Sequence, residues 1–358
     1  MQLKFVYVLT CPQNCYYIEW ALLSLYSLRR LHRNAYTVLV TDNDTNSILV
    51  GKRSEILRYV SEKVVISDFP FDMSSKLKSR FLKTSVREYL SGDFLFIDCD
   101  TLICKPLNDI EDLSGIHACK NCHLSIHEYS TQMYDKLNKD ASVVGWDISK
   151  EDIYYSSGVM FVQDTPVAHE LYKIWHNHWL KALNSDIYQD QLTLALANID
   201  CNYTIQLLPD TYNCVVFTQN SFVREAHILH ISSYENTCYL YTDKVLEYVK
   251  NNGCDDSWVK WIIEHPYGTI LPFDYEIYHS SIHQKVEWIN EIAEHMRRYA
   301  EHIDDFFVDF PMKSHIKKIV ITCYRMKLYK LGSFMWLLWK QIHIITKKRK
   351  LNDNILRK

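Results

Sequence analysis

Two carboxylates one residue apart, Asp98 and Asp100, close an apolar run, Phe94-Leu-Phe-Ile97. Acids so spaced on a bending backbone can both reach one divalent cation, and hard cations such as Mg2+ or Mn2+ prefer oxygen ligands. Without a cation between them the two charges repel. A second Asp-x-Asp, Asp42/Asp44, lies in Asp42-Asn-Asp-Thr-Asn46, a composition that reads as turn chemistry. At 98–100 no turn signal is present, and apolar residues resume at Leu102-Ile103. The chain has only 8 glycines and neither GxGxxG nor GxxxxGK[ST], so no glycine-rich loop can cradle phosphates. A bound diphosphate would have to be neutralised by a metal and basic side chains. Asp98/Asp100 is therefore a candidate metal–diphosphate site.

The elements that must position this pair follow from periodicity. A continuous apolar run between Gly92 and Pro106 predicts a strand buried on both faces, with the carboxylates at its C-terminal end. Further strands are expected at Lys4–Leu9, Tyr36–Val40, Val64–Ile66, Ile116–Cys119, Val159–Val162, Tyr203–Leu208 and Ala226–Ile231. Helical spacing predicts helices at Tyr16–Leu31, Arg53–Val60, Met73–Leu90 (basic, with Lys76, Lys78, Arg80, Lys83 and Arg87), Pro166–Leu183 and Gln189–Ala197. Residues 123–155 are polar and irregular and read as an inserted loop with a short helix. Residues 240–310 read as helical, with a charged amphipathic segment from Gln284 to Phe307. Strand–helix alternation implies a mostly parallel sheet whose C-terminal strand edge carries the ligand site. Thr10, Asp42 and Asp98/Asp100 would line that edge.

The 358 residues, 47% hydrophobic, suffice for a large core. The net charge of −3 hides an asymmetry: residues 313–358 hold 13 Lys/Arg against one acid, Asp353, so the rest of the chain is strongly acidic. Trp336 and Trp339, followed by Lys340 and Lys347-Lys-Arg-Lys350, suit a helix lying on an anionic membrane surface. The interrupted apolar run is shorter than the ~20 residues a spanning helix needs. Eleven cysteines lack framework spacing, and Cys119-x-x-Cys122 has no second pair to suggest zinc. The N-terminus runs directly into a strand without the make-up of a secretory signal. Free thiols in the cytoplasm are the expectation.

Five features, in order, resemble the GT-A glycosyltransferases, and most of all glycosyltransferase family 8, the bacterial lipopolysaccharide glycosyltransferase and glycogenin group. They are the first strand ending at Leu9-Thr10, Arg80 on a basic helix upstream of Phe-Ile-Asp98-Cys-Asp100, Tyr155-Ser-Ser-Gly-Val-Met-Phe-Val162, Tyr188-Gln-Asp190-Gln191, and a later His230. The resemblance spans roughly residues 3–235. It implies an α/β fold, a GT-A type Rossmann-like, mostly parallel sheet flanked by helices. It divides the chain into a catalytic domain at 1–235, a helical extension at 236–312 and a basic membrane-associating tail at 313–358.

The roles it implies are physically coherent. Asp98, Asp100 and His230 would hold Mn2+ or Mg2+. Leu9, Thr10, Asp42 and Cys99 would line the nucleotide, with Asp98 also meeting the ribose. Arg80 would approach the phosphates or donor sugar, Ser156 would hydrogen-bond the sugar, and Ser157 would lie beside it in the donor site. Asp190 and Gln191 would be the catalytic pair near the anomeric carbon. On residue types alone, Arg80 equally fits a solvated helix face, His230 a satisfied core histidine, and Asp190 a helix N-terminus. Two features depart from the family: its Lys-Pro-Trp segment after the histidine is absent, and the acid often found after the first strand is replaced by Cys11-Pro12.

The implied function is transfer of a hexose from a nucleotide sugar, a UDP-sugar first, to a lipid-linked or cell-surface saccharide with retention of configuration. The enzyme would be cytoplasmic and peripheral on the inner face of the plasma membrane, with no nucleic-acid partner. The alternatives are an inverting enzyme with Asp190 as base, a sugar-nucleotide nucleotidyltransferase, and an inactive GT-A scaffold.

Overall fold

A computed structural model describes residues 3–215, 225–231 and 243–266. Of these, residues 3–215, 225–231 and 246–263 belong to one compact unit. The expected helix Gln284–Phe307 and the basic tail lie outside the described residues.

In chain order the elements are β1 (Lys4–Leu9), α1 (Tyr17–Leu31), β2 (Tyr36–Asp42), α2 (Asn43–Ser47), β3 (Glu62–Ile66), α3 (Ser75–Tyr89), β4 (Phe94–Ile97) and β5 (Thr101–Ile103). They continue with β6 (Ile116–Lys120), α4 (Thr131–Val143), β7 (Tyr155–Val162), α5 (Pro166–Ala182), α6 (Asp190–Asp200) and β8 (Ile205–Leu207). β9 (Cys214–Val215), β10 (Ile228–His230), α7 (Asp243–Asn252) and α8 (Ser257–Glu264) complete the described chain.

The main sheet has seven strands in the order β3-β2-β1-β4-β7-β6-β8. β3, β2, β1 and β4 are mutually parallel. β7 runs antiparallel between β4 and β6, and β6 is parallel to β8. This is the mostly parallel α/β sheet expected, with one reversed strand. The reversal places the start of β7 beside the C-terminal end of β4. Every residue of β4 and β7 is buried, as a strand covered on both faces requires. Their residues pack with Phe81, Leu82 and Val86 of α3 and with Leu171, Trp175 and Trp179 of α5.

A smaller sheet, β5-β10-β9, sits at the C-terminal strand edge. β5 pairs antiparallel with β10, His230 opposite Thr101. Both strands are too short for periodicity to reveal their pairing.

Several expectations change. Residues 51–59 wind as a 3-10 helix, not an α-helix. β7 begins at Tyr155, four residues earlier than predicted, so Ser156 and Ser157 belong to the strand. The short helix expected within residues 123–155 is α4, but the stretch around it is folded as well. Ile126, Leu137, Ala141, Trp146, Ile148 and Tyr154 make a second core with Leu192 and Ala195 of α6.

The expectation of free thiols is also corrected. Cys11 and Cys15 form a disulfide across a turn closed by Cys15 N–H donating to the Pro12 carbonyl. The turn brings the two Cα atoms to 6.2 Å, within disulfide range. Arg53 clamps this loop from beneath, donating to the Gln13 and Cys15 carbonyls while ion-paired to buried Glu19.

Candidate active site

The site grows from the end of β4. Asp98 N–H donates to the Gly158 carbonyl at 2.8 Å, continuing the β4–β7 pairing by one residue. Ile231 N–H donates to the Asp100 carbonyl at 2.8 Å, tying the β4–β5 turn to β10. These two backbone bonds bring Asp98, Asp100 and His230 together: one ligand atom from each lies within 4.8 Å of the others. Among the described residues this is the only such group. Cys119 and Cys122 belong to none; Cys119 Sγ donates to the Pro209 carbonyl.

The donor set fits a hard cation. His230 Nδ1 lies 2.9 Å from Asn213 Oδ1, while Asn213 Nδ2 donates to Ser156 Oγ at 2.9 Å. Asn213 thereby accepts the Nδ1 proton, and Nε2, 3.3 Å from Asp100 Oδ1, donates its proton to that carboxylate or, once the proton is lost, offers its lone pair to a metal. An outer partner that fixes the imidazole tautomer is the usual support of a histidine ligand. Gly158 makes room for the ring: a Cβ there would lie 2.6 Å from His230 Cε1 and 2.8 Å from Nδ1. Enclosure raises the Asp98 carboxyl above its usual range, against the pull of Lys83 and His230. At Asp100 enclosure also works upward, but the charge and hydrogen bond of His230 hold it below.

Beside this trio stands Asp190, the first residue of α6 and 5% exposed. Its backbone carbonyl accepts from the indole of buried Trp175 on α5 at 2.8 Å. Its carboxylate meets Arg80 Nε at 3.0 Å and Lys83 Nζ at 3.4 Å, and accepts from Ser157 Oγ at 2.7 Å. Burial alone would raise Asp190, yet Arg80, Lys83 and the Ser157 hydroxyl hold it far below the usual carboxylate range. Gln191 turns the other way and donates to Asn121 Oδ1 at 3.0 Å.

The remaining expected residues divide. Arg80 belongs to the site and is not merely a solvated cation. Ser157 faces Asp190, whereas Ser156 points to the opposite side and accepts from Asn213 and from Gly158 N–H. Period-2 alternation separates the two serines once the strand starts at Tyr155. The Cys99 thiol turns into the core and donates to the Val8 carbonyl. Leu9 is buried, and Thr10 Oγ1 donates to the Ser75 carbonyl, joining the end of β1 to the start of α3. Asp42 caps α2 through Thr45 N–H and shares Lys78 with Asp44. The second Asp-x-Asp is therefore a turn neutralised by a lysine.

Lys83, Asn213 and Asn121 were not anticipated as site residues. Lys83 lies three residues after Arg80, the spacing that shares a helix face, and that signal was available. Asn213 sits in a 3-10 turn and carries no sequence signature.

No family model and no curated protein matches this chain. Among solved structures it is similar to mouse xyloside xylosyltransferase 1 in its apo form, at 14% identity and a TM-score of 0.43, over 65% of this chain and 98% of that one. It is also similar to the galactosyltransferase LgtC in complex with donor and acceptor sugar analogs, at 11% identity and a TM-score of 0.45, over 70% and 95%. A third is the glycosyltransferase GlyE of Streptococcus pneumoniae TIGR4, at 14% identity and a TM-score of 0.46, over 75% and 63%.

Proposed function

We propose that this chain is a metal-dependent glycosyltransferase that moves a hexose from a nucleotide sugar, a UDP-sugar first, to a saccharide acceptor. The observation that carries the reading is the convergence of Asp98, Asp100 and His230 beside an ion-paired Asp190 at the C-terminal edge of a parallel sheet. Mn2+ or Mg2+ held by that trio would supply charge neutralisation for the two phosphates of the leaving nucleotide. Arg80 offers a fixed, partly exposed cation to the donor. Ser157 and Asp190 present hydrogen-bonding groups to sugar hydroxyls, and Gln191, braced by Asn121, faces the acceptor side.

Retention is favoured over inversion with Asp190 as base. A general base works best with a pKa near the operating pH. Asp190, held by two cations and a hydroxyl, is an anion that positions others. A nucleotidyltransferase would need a basic, glycine-rich loop after β1, and Cys11-Pro-Gln-Asn-Cys15 supplies none.

The composition of the tail supports an acceptor held at a membrane. Tryptophans beside a run of lysines and arginine suit an anionic membrane surface. We therefore place the enzyme on the inner face of the plasma membrane, acting on a lipid-linked or cell-surface saccharide such as a lipopolysaccharide or capsule precursor. Among the described residues no helix is long and apolar enough to cross a membrane.

A thermal-shift screen of UDP-, GDP- and CMP-sugars with Mn2+ tests the donor reading. The expected result is stabilisation by a UDP-sugar, dependent on Mn2+ and lost in Asp100→Ala. No stabilisation by any of the three would favour an inactive scaffold.

A further inference from the structure

Lys83 is 3% exposed, and its ammonium lies between the two halves of the site. Nζ donates to Asp98 Oδ1 at 3.0 Å and Oδ2 at 3.1 Å, and sits 3.4 Å from Asp190 Oδ2. The Phe96 ring floors it at 4.9 Å from the ring centroid. Both Asp98 oxygens are thus engaged by one cation, while Asp100 Oδ1 is met by His230 at 3.3 Å. Each carboxylate oxygen keeps a second lone pair, so a metal ion can still reach Asp98. It must do so against a positive charge already seated there.

We propose that Lys83 competes with the divalent cation for Asp98 and shifts toward Asp190 when the cation binds. Lys83 is then a positioning residue that couples metal occupancy to the fixing of Asp190 at the sugar end. The proposal rests on the metal-site reading of Asp98, Asp100 and His230 given above. Coupling of this kind is reciprocal: whatever strengthens the hold of Asp190 on Lys83 must favour the cation, and whatever weakens it must disfavour the cation.

The signs distinguish this from a merely structural lysine. Removing a competitor tightens metal binding, whereas removing a structural support loosens it. Mn2+ affinity is read from the electron paramagnetic resonance of free Mn2+ in the full-length chain, with circular dichroism and melting to verify folding. Lys83→Met is expected to bind Mn2+ roughly tenfold more tightly, the scale on which groups around a metal alter its affinity. Its kcat for donor hydrolysis falls at the same time. Lys83→Arg keeps the charge and binds near the wild-type level. Asp190→Asn leaves Lys83 with Asp98 alone and weakens Mn2+ binding by roughly threefold, an effect that mostly disappears in the Lys83→Met background.

A folded Lys83→Met that binds Mn2+ as the wild type does, or more weakly, overturns the proposal. If Lys83→Met does not fold, Asp190→Asn decides, and unchanged or tighter binding overturns it. Wild-type protein that takes up no Mn2+ overturns both this coupling and the metal site. Wild-type binding with unmoved variants overturns the coupling alone.

Discussion

Gly158 is the position where one added methyl group should cost the site a metal ligand and leave the fold intact. β7 lies inside the sheet between β4 and β6, and the Gly158 carbonyl accepts from Asp98 N–H, so its backbone has no room to retreat. A Cβ at 2.6 Å from His230 Cε1 must push the imidazole about 0.8 Å to restore ordinary contact. That motion pulls Nδ1 from Asn213 and turns Nε2 away from Asp100. Lost support of a ligand lowers metal affinity about 10–100-fold, or about 1.4–2.8 kcal/mol. Overpacking costs the fold about 1–3 kcal/mol, and replacing a strand glycine by alanine returns about 0.5–1 kcal/mol. The net cost to the fold is therefore about 0–2.5 kcal/mol, a melting shift of several degrees at most, while Mn2+ binding falls about 10–100-fold. Isothermal titration calorimetry with Mn2+ on wild type, Gly158→Ala, His230→Ala and the double variant measures this. With the ring removed, Gly158→Ala should add much less, the remaining crowding being that of Asp98 Oδ2 at 3.2 Å from the new Cβ. Wild-type affinity in Gly158→Ala, or an equal loss in both backgrounds, would refute the steric argument.

Two further outcomes follow from features outside the metal trio. His176 is buried against Phe81 and Trp179, with Nδ1 2.8 Å from Thr84 Oγ1, and burial pushes its imidazole down to about 4. Between that value and the unfolded value of about 6.5 the unfolded chain binds more protons. Its contribution is therefore complete above pH 6.5 and shrinks by about 3 kcal/mol as pH falls through 4. His176→Phe should flatten the fall in melting temperature between pH 6.5 and 4.5, and a fall as steep as the wild type's would count against the assignment. Deleting residues 331–358 should release the protein from anionic liposomes in a sedimentation assay without stopping donor hydrolysis; retained binding would remove the membrane role of the tail.

Of the candidate metal trio, the two acids stood out in the sequence by pattern, and the histidine only through the family resemblance. The acids follow an unbroken apolar run, whereas His230 lies within a short strand and carries no pattern of its own. Asp190 was legible as the acid opening a helix. What stayed hidden depended on tertiary choice. α3 carries five cations; spacing puts Arg80 and Lys83 on one face, but that this face turns toward Phe96 and Asp98 is a tertiary choice. That only Ser157 faces Asp190 stayed hidden because aromatic and small residues at 155–157 mask the start of β7. The insertion at 123–155 hid its fold because its apolar residues are sparse and complete their core only with Leu192 and Ala195, far along the chain. The Cys11–Cys15 pairing needed the turn at Pro12, which composition does not announce.

The short β5–β10 pairing carries a consequence for how the molecule opens. His230 reaches the carboxylates only while β10 is docked on β5, through three paired positions and the Ile231–Asp100 bond. So small a sheet holds little local stability by itself and should breathe more readily than the seven-stranded body. A cation bound across the seam would act as a clasp, stabilising the closed form in proportion to its concentration relative to its dissociation constant. Amide hydrogens of residues 228–231 would then exchange faster after chelation, while those of β1 and β4 would not, making the local opening of one edge a direct reporter of metal occupancy.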